Sequence, residues 1–395
     1  MSRMAPALTP ALSRAREREQ TSAGPDAIAL EACTPGIDRP RPERPAYPAM
    51  HPVPPDRPRS RRPWPRPADP AAAERLRERF ADLGPAEAAL AATPAGAGLL
   101  AALGGNSPYL SDLAVRDSDV LVRLLAEGPD PVVADAMAAL AATAFTEPRP
   151  RVAAAMRRAK RHVALAVAVA DIGGAWRLDR VTAALSDVAE ATLALAVRHL
   201  ARALHDRGDL RVPDPAGDPA HGCGLTVLGM GKLGARELNY SSDVDLVLLY
   251  DPAANPDRAD TLGHVYTRLA RDLVSMMEAR SGDGYVFRAD LRLRPDPAAT
   301  PPAVSLPAAI AYYESMGQNW ERAAMTKARP VAGDPALGHA FLAEIRPFVW
   351  RRHLDFAAVA DIHAMKRRID AHRDTALEAG GDPAARVAGH DVKLG

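Results

Sequence analysis

Two aspartates with one residue between them, Asp243 and Asp245, follow three closely spaced glycines, Gly229, Gly231 and Gly234, in the stretch LTVLGMGKLGARELNYSSDVDLVLLYD (residues 225–251). Side chains alternate faces along a strand, so Asp243 and Asp245 point the same way while Val244 and Leu246 point into the core. Like charges that close repel unless a cation sits between them. A divalent metal is the usual answer, and hard oxygen ligands beside a phosphate favour Mg²⁺. The glycines add the other half, because bare backbone N–H groups in a tight turn approach phosphate oxygens that a side chain would block. The stretch predicts strand, loop, strand, with a phosphate site and a metal site converging.

Two other readings compete. Gly229-x-Gly231-x-x-Gly234 also matches the dinucleotide fingerprint, with Asp251 near the place of a ribose-binding acid. That fold needs a crossover of at least about a dozen residues between its strands. Residues 235–242 hold little more than two helical turns and end in Asn-Tyr-Ser-Ser, which is turn chemistry. A dinucleotide site would also leave Asp243 and Asp245 without work. The plainest alternative is a solvated strand end beside an ordinary turn.

A further strand is expected over residues 285–295, YVFRADLRLRP, where Arg288, Asp290, Arg292 and Arg294 alternate with Phe287, Ala289, Leu291 and Leu293. On that reading Asp290 is a third metal carboxylate, and the arginines take phosphate oxygens in bidentate fashion. The alternative is an exposed edge strand whose charges discourage aggregation.

GMGKLGARELNYSSDVDLVLLYD followed by RADLRLRP resembles the glutamine synthetase adenylyltransferase/adenylyl-removing family of the DNA polymerase beta-type nucleotidyltransferases. GNSPYLSDLAVRD upstream, and YYESMGQNWERAAMTKARPVAGD and PFVWRRHLDF downstream, extend the resemblance over about residues 73–395. It implies an α+β fold: a helical N-terminal domain, then a nucleotidyltransferase domain with a small mixed sheet and flanking helices. It implies Mg²⁺ binding by Asp243, Asp245 and Asp290, and a nucleotide-side loop containing Gly229, Gly231, Lys232 and Ser242. Arg322 and Lys327, with Arg329, join Arg288, Arg292 and Arg294 as candidate phosphate cations. Met230 departs from the glycine or serine usual in the wider superfamily, a departure the family shares.

The wording of ELNYSSDVDL and GNSPYL is similar to the first of the family's two catalytic copies, and no second GMGKLG or Asp-x-Asp strand is present. The resemblance therefore implies an N-terminal piece that removes AMP from an adenylylated tyrosine of glutamine synthetase by phosphorolysis, giving ADP. Its implied partners are glutamine synthetase, ATP or ADP and phosphate, with the PII signal protein expected for the full-length relative. The competing expectations are a dinucleotide-binding oxidoreductase and an inactive fragment, since the chain stops at HDVKLG on Gly395, where the family continues a strand.

The rest of the chain fits a cytoplasmic enzyme. Residues 1–70 are dense in proline and arginine without apolar period, and are expected to be a disordered tail. Residues 71–210 read as a helical domain with helices over 120–127, 131–143, 150–173 and 178–205; residues 211–224 as a linker; and residues 225–395 as the nucleotidyltransferase domain. Further helices are expected over 261–279, from 306 and over 357–373. The basic turn Arg157, Arg158, Lys160 and Arg161 reads as a solvated face. With 50 basic and 49 acidic residues the net charge is +1, which does not favour a nucleic-acid partner. Two cysteines, Cys33 and Cys223, give neither a disulfide framework nor zinc spacing. No apolar run is long enough to predict a membrane span.

Overall fold

The computed structural model describes residues 63–350, together with residues 363, 364 and 367. Residues 1–62 of the expected tail, nearly all of the helix expected over 357–373 (Met365 and Ile369 included), the end of PFVWRRHLDF and the terminal HDVKLG lie outside the described residues.

Among the described residues eight helices come first: α1 (Pro70–Ala81), α2 (Pro85–Ala92), α3 (Pro94–Gly104), α4 (Pro108–Arg116), α5 (Ser118–Glu127), α6 (Pro129–Ala141), α7 (Arg149–Ile172) and α8 (Leu178–Asp206). Five of them start on proline, whose fixed φ suits the first helical position and whose missing N–H would be unpaired there anyway. Asp69, Thr93 and Ser107 cap three of those starts by accepting from Ala72, Gly96 and Leu110 N–H. Trp64 packs beside Gly98 and Gly173, and Ala68 N–H donates to Asn106, so residues just ahead of α1 rest on this helical part.

The sheet follows, in the order β1 (Leu225–Gly229), α9 (Gly231–Gly234), β2 (Val244–Tyr250), α10 (Ala259–Glu278), β3 (Ala289–Asp290), β4 (Ala303–Ser305), α11 (Leu306–Ser315), α12 (Asn319–Met325), β5 (Arg329–Gly333), α13 (Pro335–Glu344) and α14 (Arg346–Val349). β1 runs antiparallel to both β2 and β5, while β2 pairs in parallel with β3 at its start and with β4 at its end. The result is the expected α+β architecture, a helical stretch followed by a small mixed sheet with flanking helices. The antiparallel β1–β2 pair, joined through a four-residue helix and a loop, rules out the parallel crossover of a dinucleotide fold.

Strand alternation divides the core. Val244, Leu246 and Leu248 join Leu225 and Val227 against α7, α8 and α10. Val247 and Leu249 join Leu228 and Met230 against α11 and α13. Both faces of β2 are therefore covered, and α10 buries Leu262, Val265, Tyr266, Leu269, Leu273 and Met276 as its spacing predicts.

Two expectations are corrected. β3 is only two residues long, and residues 291–300 turn away from the sheet: Arg294 donates to the carbonyls of Leu291, Pro297 and Thr300, so its charge closes a turn. The Arg288–Asp290–Arg292–Arg294 face of a long strand does not form. The basic turn of α7 is no solvated face either. Arg157 is buried and donates to Ala279 O at 2.9 Å, Lys160 donates to Tyr109 Oη at 2.8 Å, and Arg161 holds both oxygens of Asp117 at 2.9 and 3.1 Å. Of the four, Arg158 alone is exposed.

Two stability predictions follow from this packing. Burial pushes the Asp117 carboxyl up, but hydrogen bonds from His162 and Arg161 outweigh it and leave it at about 2. A depressed carboxyl stabilises the fold fully above its unfolded value of about 4, and that contribution is lost as pH falls through about 2. Asp117→Asn should thus lower the unfolding free energy at pH 7 by about 2 kcal/mol, a difference that closes in denaturant titrations carried down to about pH 2. Separately, a Cβ on Gly234 would lie 2.0 Å from Lys327 O and 2.5 Å from Gly229 O, whereas one on Gly282 meets nothing within 4 Å. Gly234→Ala should lower the melting temperature by several degrees, and Gly282→Ala should leave it within about a degree.

Candidate active site

The glycine turn is built to bring backbone close to carboxylate. Gly231 adopts φ +52°, which favours glycine, and a Cβ there would stand 3.0 Å from Asp245 Oδ2. Met230 N–H donates to Asp245 O at 2.8 Å, so the turn is sewn to the start of β2. Gly229 ends β1 with Val331 where its own side chain would be.

Three carboxylates meet at this end of the sheet. Asp243 immediately precedes β2, Asp245 lies within it, and the parallel register sets Asp290 of β3 directly across from Asp245. Like charges placed directly opposite destabilise a pair unless neutralised. Burial raises the Asp245 carboxyl, and the neighbouring charges of Asp290 and then Asp243 raise it further, to about 6. The other two have arginine partners. Arg288 Nε donates to Asp243, and Arg292 donates to Asp290, whose carboxyl is held low chiefly by that hydrogen bond.

The donor chemistry, three hard carboxylates crowded together, suits a divalent cation. As the side chains stand, however, Asp243 and Asp290 are turned to guanidinium groups, and among the described residues no group of three or more His, Cys, Asp or Glu is arranged to hold a metal ion.

The remaining predicted site residues are scattered in role. Lys232 is exposed at the glycine turn and has no ion pair among the described residues. Ser242 donates its N–H to Asn239 O, and its neighbour Ser241, at φ +51°, is the serine that touches Arg288, through both Oγ and O. Arg322 is buried on α12 over the Phe348 ring. Lys327 pairs with Glu237 at 2.9 Å. Arg329 is bidentate to Glu190 of α8 at 2.6 and 2.9 Å and also donates to the carbonyls of Leu233 and Gly234. It ties the glycine turn to the helical part.

Sequence reasoning missed what fastens the loop between turn and aspartates. Leu238 N–H donates to Ser186 Oγ, Arg236 pairs with Asp187 and Glu190, and Tyr240 Oη donates to Asp171 at 3.0 Å. It also missed Tyr285, which accepts from Arg288 at 3.1 Å, and Tyr109, whose ring lies 4.9 Å from Lys160 Nζ. The GNSPYL motif contained the second of these signals.

Comparison with known proteins gives the family. A family model described as glutamate-ammonia ligase adenylyltransferase matches residues 97–344. A bifunctional glutamine synthetase adenylyltransferase/adenylyl-removing enzyme of Xanthobacter autotrophicus is 47% identical over 319 residues, 79% of this chain and 31% of the relative. Enzymes with the same description from Bradyrhizobium diazoefficiens and Agrobacterium fabrum are 46% and 44% identical, each over 80% of this chain and 32% of the relative. The chain thus spans about a third of the length of the curated relatives it matches. With the model matching well over half of its residues, and the carboxylates and glycine turn falling inside the match, this chain belongs to the glutamate-ammonia ligase adenylyltransferase family.

Proposed function

We propose that the site at Asp243, Asp245 and Asp290 transfers a nucleotidyl group on glutamine synthetase, and that it works in the removing direction. The observation that carries this reading is the cluster of three carboxylates at the start of β2 and β3, with Asp245 against a glycine turn where a Cβ on Gly231 would stand 3.0 Å from its Oδ2. The removing direction rests on the resemblance of residues 105–117 and 237–246 to the first of the family's two catalytic copies.

In that direction an oxygen of inorganic phosphate attacks the phosphorus of the adenylyl-tyrosine. A new P–O–P bond forms as the bond to the tyrosine oxygen breaks, so ADP leaves with the nucleotide and the phenolate takes up a proton. Phosphate is already ionised at pH 7, and no strong general base is needed. Asp243, Asp245 and Asp290 are the residues to hold Mg²⁺, which when bound supplies positive charge to the attacking and leaving oxygens. The glycine turn admits phosphate oxygens to backbone N–H groups, with Lys232 the exposed cation beside it. Arg288 and Arg292 adjoin the same carboxylates and orient phosphate from there. Arg294, Arg322 and Lys327 serve the site at one remove, by closing the 291–300 turn, filling the space under Phe348 and bracing Glu237.

The chain, given adenylylated glutamine synthetase, phosphate and Mg²⁺, should release ADP. Asp245→Asn should reduce the rate by about a hundredfold or more, and chelation of the metal should abolish it reversibly. Arg288→Ala should raise the phosphate concentration needed for half-maximal rate. ADP release unaffected by Asp245→Asn would exclude this site as its source.

A further inference from the structure

Beside the carboxylates lies a cavity of about 340 Å³, within the range of about 300–1,000 Å³ usual for small-molecule sites. Its walls come from both parts of the fold: Tyr109 of α4, Lys160 and Ala168 of α7, the loop at Asn239 and Tyr240, and Tyr285 with Phe287 ahead of β3. Four of its lining side chains are aromatic, in a chain only 5% aromatic. Aromatic rings are thus concentrated here.

The cavity adjoins the partners of Arg288. Ser241 and Tyr285 line it, and both accept from Arg288, the arginine that pairs with Asp243. Of its polar side chains, Asp171 already accepts from Tyr240 Oη, and Ser241 and Tyr285 from Arg288, while Asn239 and Lys160 have capacity to spare. The Asn239 side chain, an amide with donor and acceptor together, has no partner among the described residues. Lys160 uses one N–H on Tyr109 Oη and has no carboxylate partner among the described residues, its ammonium lying against the Tyr109 and Tyr285 rings at 4.9 and 5.4 Å.

We infer that this cavity receives the purine base of the nucleotidyl group, an inference that rests on the reading of the site given above. A purine has two flat apolar faces and a rim of nitrogen donors and acceptors. Faces of that kind stack on Tyr and Phe rings, and an asparagine amide is matched to the N6/N7 edge of adenine. Lys160 adds a donor for a ring nitrogen. A pyrimidine offers less surface to stack and no such edge, so the cavity also selects the base. A metal and phosphate site at Asp243–Asp245 on one side of Arg288, and a base site on the other, together hold the two ends of one nucleotide.

The test is calorimetric titration of the full chain with adenosine, which carries no phosphate. Adenosine should bind more tightly than uridine by about tenfold or more. Ala168→Phe, which fills the cavity, and Asn239→Leu, which removes the amide, should each weaken adenosine by a similar factor. Thermal melting checks that the variants fold; if Ala168→Phe does not, Asn239→Leu on its half-buried loop decides. Absence of adenosine binding, or binding that both folded variants retain in full, overturns the inference. The two readings fail separately. ADP release that depends on Asp245 without an adenosine site here sinks only the base cavity. Adenosine binding lost in Asn239→Leu, without any Asp245-dependent ADP release, sinks only the transfer reading.

Discussion

Three carboxylates on adjacent strand positions set the terms for everything around them. Asp245 and Asp290 face each other across a parallel pair, and Asp243 lies two residues from Asp245. Such a cluster is unfavourable by itself, and the surroundings divide the charge unequally. Asp243 and Asp290 are neutralised by arginines next to them. Asp245 forms no ion pair among the described residues, lies partly buried, and carries the raised carboxyl. Its open side faces Gly231, where any other residue would crowd it. The one carboxylate without a guanidinium partner is thus the one nearest the glycine turn.

That placement depends on segments distant in sequence. The loop from the turn to Asp243 has no regular structure beyond α9, and its hold comes from the helices before it. Ser186, Asp187 and Glu190 on one side of α8 receive Leu238, Arg236 and Arg329, while Asp171 of α7 receives Tyr240. Single exposed ion pairs contribute little, but Glu190 serves two arginines at once, and Arg329 also ties the carbonyls that end α9. α7 reaches the other border of the site as well, since Arg149, Arg157 and Arg161 bond Asp272, Ala279 and Asp283 around the chain leading to Tyr285 and Arg288. The helical part acts as the rigid wall against which both loops of the site are set.

The parts legible in the sequence were those governed by local periodicity. Alternation about Val244 and Leu246 gave β2 and the shared side of its aspartates, three- and four-residue steps gave α10, and the short 235–242 segment already counted against a crossover. What was hidden depended on partners far along the chain. LRLRP alternates like a strand, yet Arg294 finds three carbonyls in a turn and β3 stops at Asp290. β5 contains Pro330 and no alternating run, and forms because β1 offers it an edge. Arg157, Lys160 and Arg161 read as solvent-facing because nothing local names Ala279, Tyr109 or Asp117 as their acceptors. Ser241 and Tyr285 lie inside the quoted stretches ELNYSSDVDL and YVFRADLRLRP, but nothing local singles them out; only the placement of Arg288 makes them part of the site.

The arginine pairs bear directly on how such a site works. Arg288 donates to one oxygen of Asp243 and Arg292 to both oxygens of Asp290, so a hard cation on these carboxylates would compete with the guanidinium groups for part of their charge. On the proposed reading, Asp243, Asp245 and Asp290 would hold Mg²⁺, and Arg288 and Arg292 would lie within side-chain reach of the reacting phosphates. Besides Asp243, Arg288 is tethered by Tyr285 and the carbonyl of Ser241, which hold it at the border between the carboxylates and the aromatic cavity. Among the described residues Arg292 is tethered only by its pair with Asp290, and its side chain is 84% exposed. The two arginines therefore differ in what they can contribute: Arg288 a fixed, preorganised donor fork, Arg292 a mobile charge whose position the substrate itself must set.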